Sequence, residues 1–392
     1  MISIDRKLQI LSTKMDKSIT VMILGFGSVG MYVADYLLNC VQYNFNLVVV
    51  GRNKEKLESD VNILRVASAI RHTDKSRLIL ETGCDFDDVE ALSDVISKYM
   101  PDFILNSSRA YSGLKYGSIS WSAFRAYGIW TPLSVKYIKK ISVAAEQACP
   151  DSILINTSYS DAVIPWLKSA GQAYPDFGSG NLNHLIPRIK FAAAELMGNV
   201  DYRDIEVTLA TAHFHDVVIS KEGHTEGMPQ LLRIRYKGRE ITNLDQKEIF
   251  ARCKIPMPVD AKRNMMNASS NYDIMVTILN SLFRKSSGRL HCPGVFGEIG
   301  GYPVIIDGAK CHAYIDEEDF SLEEMRKANR QSIYFDGIEN VENGELIYTN
   351  ELIDKVERAF HVRIPKRVAL SDSDDVAQLI IERIIKKALA EK

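Results

Sequence analysis

The sequence predicts an α/β chain, a doubly wound parallel sheet followed by an α+β domain. Three observations carry that expectation. β-branched runs recur at 20–24, 47–50, 78–81, 103–106 and 153–156, and helical patterns at 28–39, 54–68, 88–99 and 132–148 lie between them. Strands alternating with helices build βαβ units with right-handed crossovers. The runs VMIL and VVV are apolar without a break, as in strands covered by helices on both faces. The 392 residues suit about two to three domains, large enough to fold without staples.

Taken in order, residues 1–18 read as an N-terminal extension. MISIDRKLQILSTKMDKS mixes charges through every turn and holds no apolar signal core. Residues 19–165 read as a dinucleotide-binding domain of Rossmann type. Its first strand ends in Gly25-Phe26-Gly27-Ser28-Val29-Gly30, a GxGxxG between an apolar strand and an amphipathic helix. Gly25 allows the tight turn, Gly27 lets backbone approach a pyrophosphate, and Gly30 lets helix and strand pack closely. The diphosphate would sit on the free N–H groups at the positive end of the new helix.

The second strand ends in Gly51-Arg52-Asn53-Lys54. An NAD site places Asp or Glu there to accept from the ribose 2′-hydroxyl. Arg52 instead offers a planar cation for a 2′-phosphate, so the expectation is NADP over NAD. Asn106 and Ser107 end the fourth strand and Asn156 the fifth, where ligands of doubly wound sheets lie. Each either bonds the cofactor or caps the next helix. Residues 107–131 are rich in Gly, Ser and aromatics and carry Arg109 and Arg125. They are either a hinged binding loop or a surface excursion with a short helix.

After about 165 the rhythm changes, and 166–370 read as an α+β domain for the substrate. A helix is expected over 181–197, strands over 205–211, 217–220 and 231–236, and a helix over 272–283. A strand at 302–306 and a helix near 322–332 follow. On the helix from 181, Asn181, His184 and Arg188 share a face that either gathers on a substrate or is solvated. His213 and His215 share one face if 205–211 runs on as a strand. There they would be an acid/base, metal ligands or structural histidines. Residues 371–392 end in a helix from about 375 to 390, a solvated cap or a dimer arm, behind the acidic start SDSDD.

Composition excludes other classes. Apolar residues at 46% and charged residues at 25% are ordinary for a soluble globular protein. The formal charge of −2, from 48 Lys plus Arg against 50 Asp plus Glu, leaves no basic footprint for nucleic acid. No apolar run reaches the roughly 18 residues of a membrane span. The six cysteines form no CxxC, which argues against a zinc ribbon and for reduced thiols in a cytoplasmic protein.

The order of motifs resembles the lactate/malate dehydrogenase superfamily, which includes the NAD-dependent family 4 glycosidases. The glycine motif, the aromatic and arginine loop, INTSYSD, GSGNLN opening a helix, a strand ending in AHFHD and the late GGYPVIIDG carry the resemblance. The first domain, with GRNKEKLE and DFDDVEALSDVISKY, is also similar to saccharopine-reductase-type NADP domains. The dehydrogenase resemblance implies a carboxylate beside the catalytic histidine and an arginine three residues on. Those positions hold Asn183 and Ile186.

Together these readings point to an NADP-dependent oxidoreductase that moves hydride between nicotinamide and a carbonyl, hydroxyl or imine carbon. His213 would exchange the proton, oriented by Asn183 or His215. Arg188, with Arg109 or Arg125, would hold an anionic group. The alternatives are a family-4-like glycosidase using NAD and a metal, and a non-catalytic NADP sensor. No resident metal is expected in the leading reading, and a homo-oligomer, a dimer, is expected as the assembly.

Overall fold

The computed structural model describes residues 2–14, 18–73 and 75–390, with the side chains of residues 114 and 181 left aside. Helix α1 (Ile4–Ser12) precedes six βα steps. These are β1 (Ile19–Leu24), α2 (Ser28–Leu38), β2 (Phe45–Gly51), α3 (Lys54–Ile70), β3 (Arg77–Thr82), α4 (Val89–Tyr99) and β4 (Phe103–Asn106). There follow α5 (Gly113–Ile119), α6 (Thr131–Ala148), β5 (Ile153–Asn156), α7 (Ser160–Ser169) and β6 (Phe177–Gly178). The six strands make one parallel sheet in the order β3-β2-β1-β4-β5-β6. The strand order reverses between β1 and β4, so a crevice opens beyond their carboxyl ends.

The apolar runs divide by alternate residues. Met22, Leu24, Val48, Val50 and Ile104 face one layer, with α4 and α6. Val21, Ile23, Leu47, Val49 and Leu105 face the other, with α2 and α3. A period of two inside an unbroken apolar run is the mark of a strand buried on both sides.

Helix α8 (Asn181–Leu196), β7 (Ile205–Ala210) and α9 (Phe214–Glu222) follow, then β8 (Leu231–Tyr236), β9 (Arg239–Glu240), α10 (Gln246–Arg252) and α11 (Asn264–Arg284). Next come β10 (Ser287–Pro293), β11 (Gly301–Asp307), β12 (His312–Ile315), α12 (Leu322–Phe335), β13 (Ile338–Glu342) and β14 (Glu345–Tyr348). The chain closes with α13 (Asn350–Phe360), β15 (Arg367–Ala369), α14 (Ser373–Ile380) and α15 (Lys386–Ala390). Strands β7 to β15 make three small antiparallel sheets of three strands each. Among the described residues no helix is long and apolar enough to cross a membrane.

Three expectations are corrected. The strand expected at 217–220 is part of α9, a helix buried over Phe214–Ser220 and stopped by Gly223 at φ +77°. Its β-branched run mimics a strand, but burial on all sides lets a helix form there. Residues 107–131 hold a short helix, as one of their two readings expected, but with Phe124, Ile129 and Trp130 buried they are no surface excursion. They fold as α5, a π turn over Ser120–Phe124 and a 3₁₀ turn over Gly128–Trp130. The Trp130 indole donates to Ser120 Oγ at 2.5 Å, which pins the segment to the core. The C-terminal helix is not a solvated cap, because α14 packs on α6 and buries Ile380.

Candidate active site

The glycine turn that follows β1 has three distinct jobs. Gly25 sits at φ +90°, and a Cβ there would lie 2.8 Å from the Ser108 backbone. A Cβ on Gly30 would lie 2.6 Å from the Gly25 carbonyl. A Cβ on Gly27 would meet nothing within 4 Å, so that position opens onto free space. Gly27 is also the N-cap of α2 with no side-chain cap, which leaves the first helical N–H groups to an outside acceptor. Ser28 and Val29 line the cleft beside it, and Ser28 Oγ accepts from Asn264 Nδ2 at 2.6 Å. Phe26 points the other way, into the apolar layer. An uncapped helix start beside an open glycine suits a diphosphate, so these residues fit the cofactor their motif implies.

The other strand ends divide. Arg52 stands past β2 with its guanidinium 5.7 Å from the Tyr137 ring. Asn53 Oδ1 instead accepts from Lys56 N–H and caps α3. Asn106 and Asn156 are fully buried and bond each other, Asn106 Nδ2 donating to Asn156 Oδ1 at 2.9 Å. Asn106 Oδ1 also accepts from Ser108, and Asn156 Nδ2 donates to the Ser158 carbonyl. The two asparagines therefore fasten the ends of β4 and β5 and do not line the cleft. Asn106 and Asn156 are corrected on that ground, since their side-chain amides are already engaged. Ser107 does line it, while its hydroxyl donates to the Gly25 carbonyl at 2.5 Å.

A cleft of about 480 Å³ runs from Gly27 past Ser107 and Arg109 to His213. His213 is the N-cap of α9, and its side chain is 13% exposed. Its backbone N–H donates to Asp161 Oδ1 at 3.0 Å. Nδ1 lies 3.0 Å from Asp336 Oδ2. Asp336 is fully buried and also accepts from the Tyr159 hydroxyl at 2.5 Å and from Tyr127 N–H at 2.7 Å. A carboxylate accepts only, so the Nδ1 proton is assigned to this bond and Nε2 is the nitrogen left for a substrate. The Tyr127 and Tyr159 rings meet the imidazole edge-on, at 5.2 and 5.1 Å between centroids.

Burial opposes the His213 imidazolium, but the charge and hydrogen bond of Asp336, with Asp161 and Asp216 beyond, prevail and raise its pKa. Burial pushes the Asp161 carboxyl up to about 6, with His213 acting against the rise. Burial and the Asp336 charge hold the Tyr159 phenol well above its ordinary range.

Four residues expected at the site lie elsewhere. His215 is fully buried within α9, where Nδ1 meets Ser332 Oγ at 2.8 Å and Nε2 meets Gln230 Oε1 at 3.1 Å. Burial lowers its pKa to about 4, as for a neutral structural histidine. It shares no strand face with His213, because the chain has turned into a helix by Phe214. Asn183 Nδ2 donates to Asp273 Oδ2 at 3.0 Å and does not orient His213. Arg188 is buried behind the cleft and donates to the Cys253 carbonyl at 2.9 Å. Arg125 is held by Glu222 and Glu226. Arg109 lines the cleft, and so does His184. The Asn181 side chain lies outside those described.

Sequence reasoning missed Asp336, Tyr159, Asp161, Asp216, Lys221 and Arg263, all but Asp336 in the cleft wall. Asp336 lies 123 residues beyond His213, at the end of α12 before Gly337. Its only local signal is the Asp-Gly pair, which reads as a turn.

Comparisons with known proteins bear on this geometry. Residues 21–118 match the family model described as saccharopine dehydrogenase NADP binding domain. No curated protein sequence matches the chain. Among solved structures, the chain is similar to a lactate dehydrogenase from Eimeria maxima with NADH and oxamate. The identity is 15% and the TM-score 0.53, over 81% of this chain and 92% of that one. It is similar to a Cryptosporidium parvum lactate dehydrogenase complexed with lactic acid and nicotinamide adenine dinucleotide. There the identity is 15% and the TM-score 0.54, over 82% and 98% of the two chains. A malate dehydrogenase from Plasmodium falciparum gives 13% and 0.54, over 81% and 95%. The fold is thus that of lactate and malate dehydrogenases, at low identity.

Proposed function

We propose that this chain is an NADP-dependent dehydrogenase or reductase acting on a small polar molecule. One observation carries the reading: a single cleft joins the open glycine turn to a histidine fixed by a buried carboxylate. The matching NADP-domain model and the dehydrogenase fold support it. Gly27 and the uncapped start of α2 would hold the diphosphate. Arg52, beyond β2, would meet a 2′-phosphate. The cofactor, when bound, supplies hydride chemistry.

The chain's own residues manage the proton. Asp336 fixes the imidazole and favours its charged form, so His213 Nε2 gives a proton to a carbonyl oxygen in reduction and takes it from a hydroxyl in oxidation. Tyr159 and Tyr127 hold Asp336 in place from two sides. Arg109, Lys221 and Arg263 line the cleft and would hold an anionic group.

Calorimetry with NADP and NAD on the full chain tests the cofactor. We expect NADP to bind more tightly and Arg52→Ala to remove that preference while sparing NAD. No binding of either coenzyme would end the proposal. NADP binding with no NADPH oxidation across a panel of carbonyl compounds would leave a sensor instead.

A further inference from the structure

A second histidine and carboxylate share the cleft. His184 lies on the first turn of α8, and Asp216 on the first turn of α9, three residues after His213. Their side chains are 7% and 9% exposed. Nδ1 of His184 lies 3.9 Å from Asp216 Oδ2, too far for a hydrogen bond. The atoms on their other sides, His184 Nε2 and Asp216 Oδ1, are buried and have no hydrogen-bond partner among the described residues. Both residues belong to the cleft wall. Buried polar atoms left unpaired are costly, and two such atoms in one wall call for a ligand.

The chemistry of the two atoms narrows what that ligand offers. A carboxylate oxygen only accepts. The His184 ring donates to the Met266 carbonyl, and since Nε2 has no partner the ring proton is assigned to Nδ1, so Nε2 also accepts. Two neighbouring acceptors are met by one group with at least two N–H donors. A hydroxyl gives one proton and a carbonyl none, whereas an ammonium gives three. Two of the nearby cations do not fill this role. Arg188 is turned to the Cys253 carbonyl and Met257 Sδ, and Lys221 toward the Tyr127 hydroxyl.

We infer that His184 and Asp216 form an amine subsite, which holds a primary ammonium of the substrate beside the carbon served by His213. Its position beside the reacting carbon rests on the oxidoreductase reading, because residues 213 and 216 are one helical turn apart. Lys221 and Arg263, in the same wall, suit a carboxylate on the same molecule. The substrate class is then an amino-bearing hydroxy or keto acid.

The test compares threonine with 3-hydroxybutyrate, which differs only by lacking the amine, and with 1-amino-2-propanol, which lacks the carboxylate. Binding to the full chain is read by calorimetry, with and without NADP. Both amine-bearing probes should bind roughly ten- to a hundredfold more tightly than 3-hydroxybutyrate. The preference should vanish in Asp216→Asn and in His184→Ala, each checked for cooperative unfolding. Should one variant not fold, the wild-type preference and the other variant still decide. Equal binding of the three probes to the wild-type chain, or a preference that survives both variants, overturns the subsite. Loss of NADP binding with the amine preference kept would instead sink the oxidoreductase reading alone.

Discussion

Asp336 uses both of its oxygens at the site, Oδ1 on Tyr127 N–H and Oδ2 on Tyr159 and His213. Removing the imidazole by His213→Ala should lower turnover by roughly 10²–10⁴, read from steady-state kinetics. Asp336→Asn keeps the shape but removes the charge that raises the His213 pKa. Reduction should fall as pH rises through that raised pKa, and oxidation should show the opposite limb. In Asp336→Asn both limbs should move to lower pH, since burial is then opposed only by the charges of Asp161 and Asp216. A pH–rate profile unchanged by the substitution would remove Asp336 from this role. Stability follows the same sign. The His213 contribution is fully present below about pH 6.5 and is lost as pH rises through the folded value. The buried histidines behave in reverse. Burial lowers His215 to about 4 and His291 to about 3, so their contributions hold above about pH 6.5 and fade as pH falls toward those values. His291 Nε2 accepts from Leu209 N–H, and glutamine can keep that bond without titrating. His291→Gln should therefore flatten the fall in Tm between pH 7 and pH 4, measured by thermal unfolding.

At the scale of the element, the glycine turn separates folding from binding. Gly27 has φ −87° and open space, so Gly27→Ala fits the backbone and instead crowds the place proposed for the diphosphate. Its Tm should stay near that of the parent while NADP affinity drops, by calorimetry. Gly30→Ala would put a methyl against the Gly25 carbonyl and should cost about 1–3 kcal/mol of stability in a denaturant titration. The open position and the tight one were legible in the sequence because glycine spacing is local chemistry. Most of the first half of the fold was legible too, since five of the six parallel strands announce themselves by an apolar run, whereas β6, only Phe177–Gly178, carries no such run and was missed. Helix α9 was not. Val217–Val218–Ile219 has strand propensity, and only packing of Phe214 and Ile219 among apolar residues of α8, β7 and α10 makes it a helix. That one misreading put His213 and His215 on a common face. Asn106 and Asn156 misled differently: they end adjacent strands as cofactor ligands would, but parallel pairing sets them side by side and they satisfy each other. Asp336 was illegible because its pairing with His213 exists only after α12 is laid against the end of β7.

Over the whole molecule, the C-terminal segment belongs to the core that supports the cleft. Val376, Ala377, Ile380, Ile384 and Ile385 are buried in the same cluster as Trp130, Leu133 and Tyr348. Trp130 and Ser134 in turn form part of the cleft wall. Burying one aliphatic side chain contributes about 1.5–3 kcal/mol. Removing four of them together therefore rivals the roughly 5–15 kcal/mol that holds a domain folded. A chain ending at Asp372 should lose cooperative unfolding, and NADP binding with it. The milder Ile380→Ala should cost about 2–5 kcal/mol, lowering Tm while NADP still binds the folded fraction. Lys139 ties the segment to α6 as well, through Asp374 at 2.9 Å and Ser373 Oγ at 2.9 Å, but these polar contacts are partly exposed and contribute far less. If the truncated chain melted cooperatively at the parent temperature, the C-terminal segment would be an appendage to the core behind the cleft.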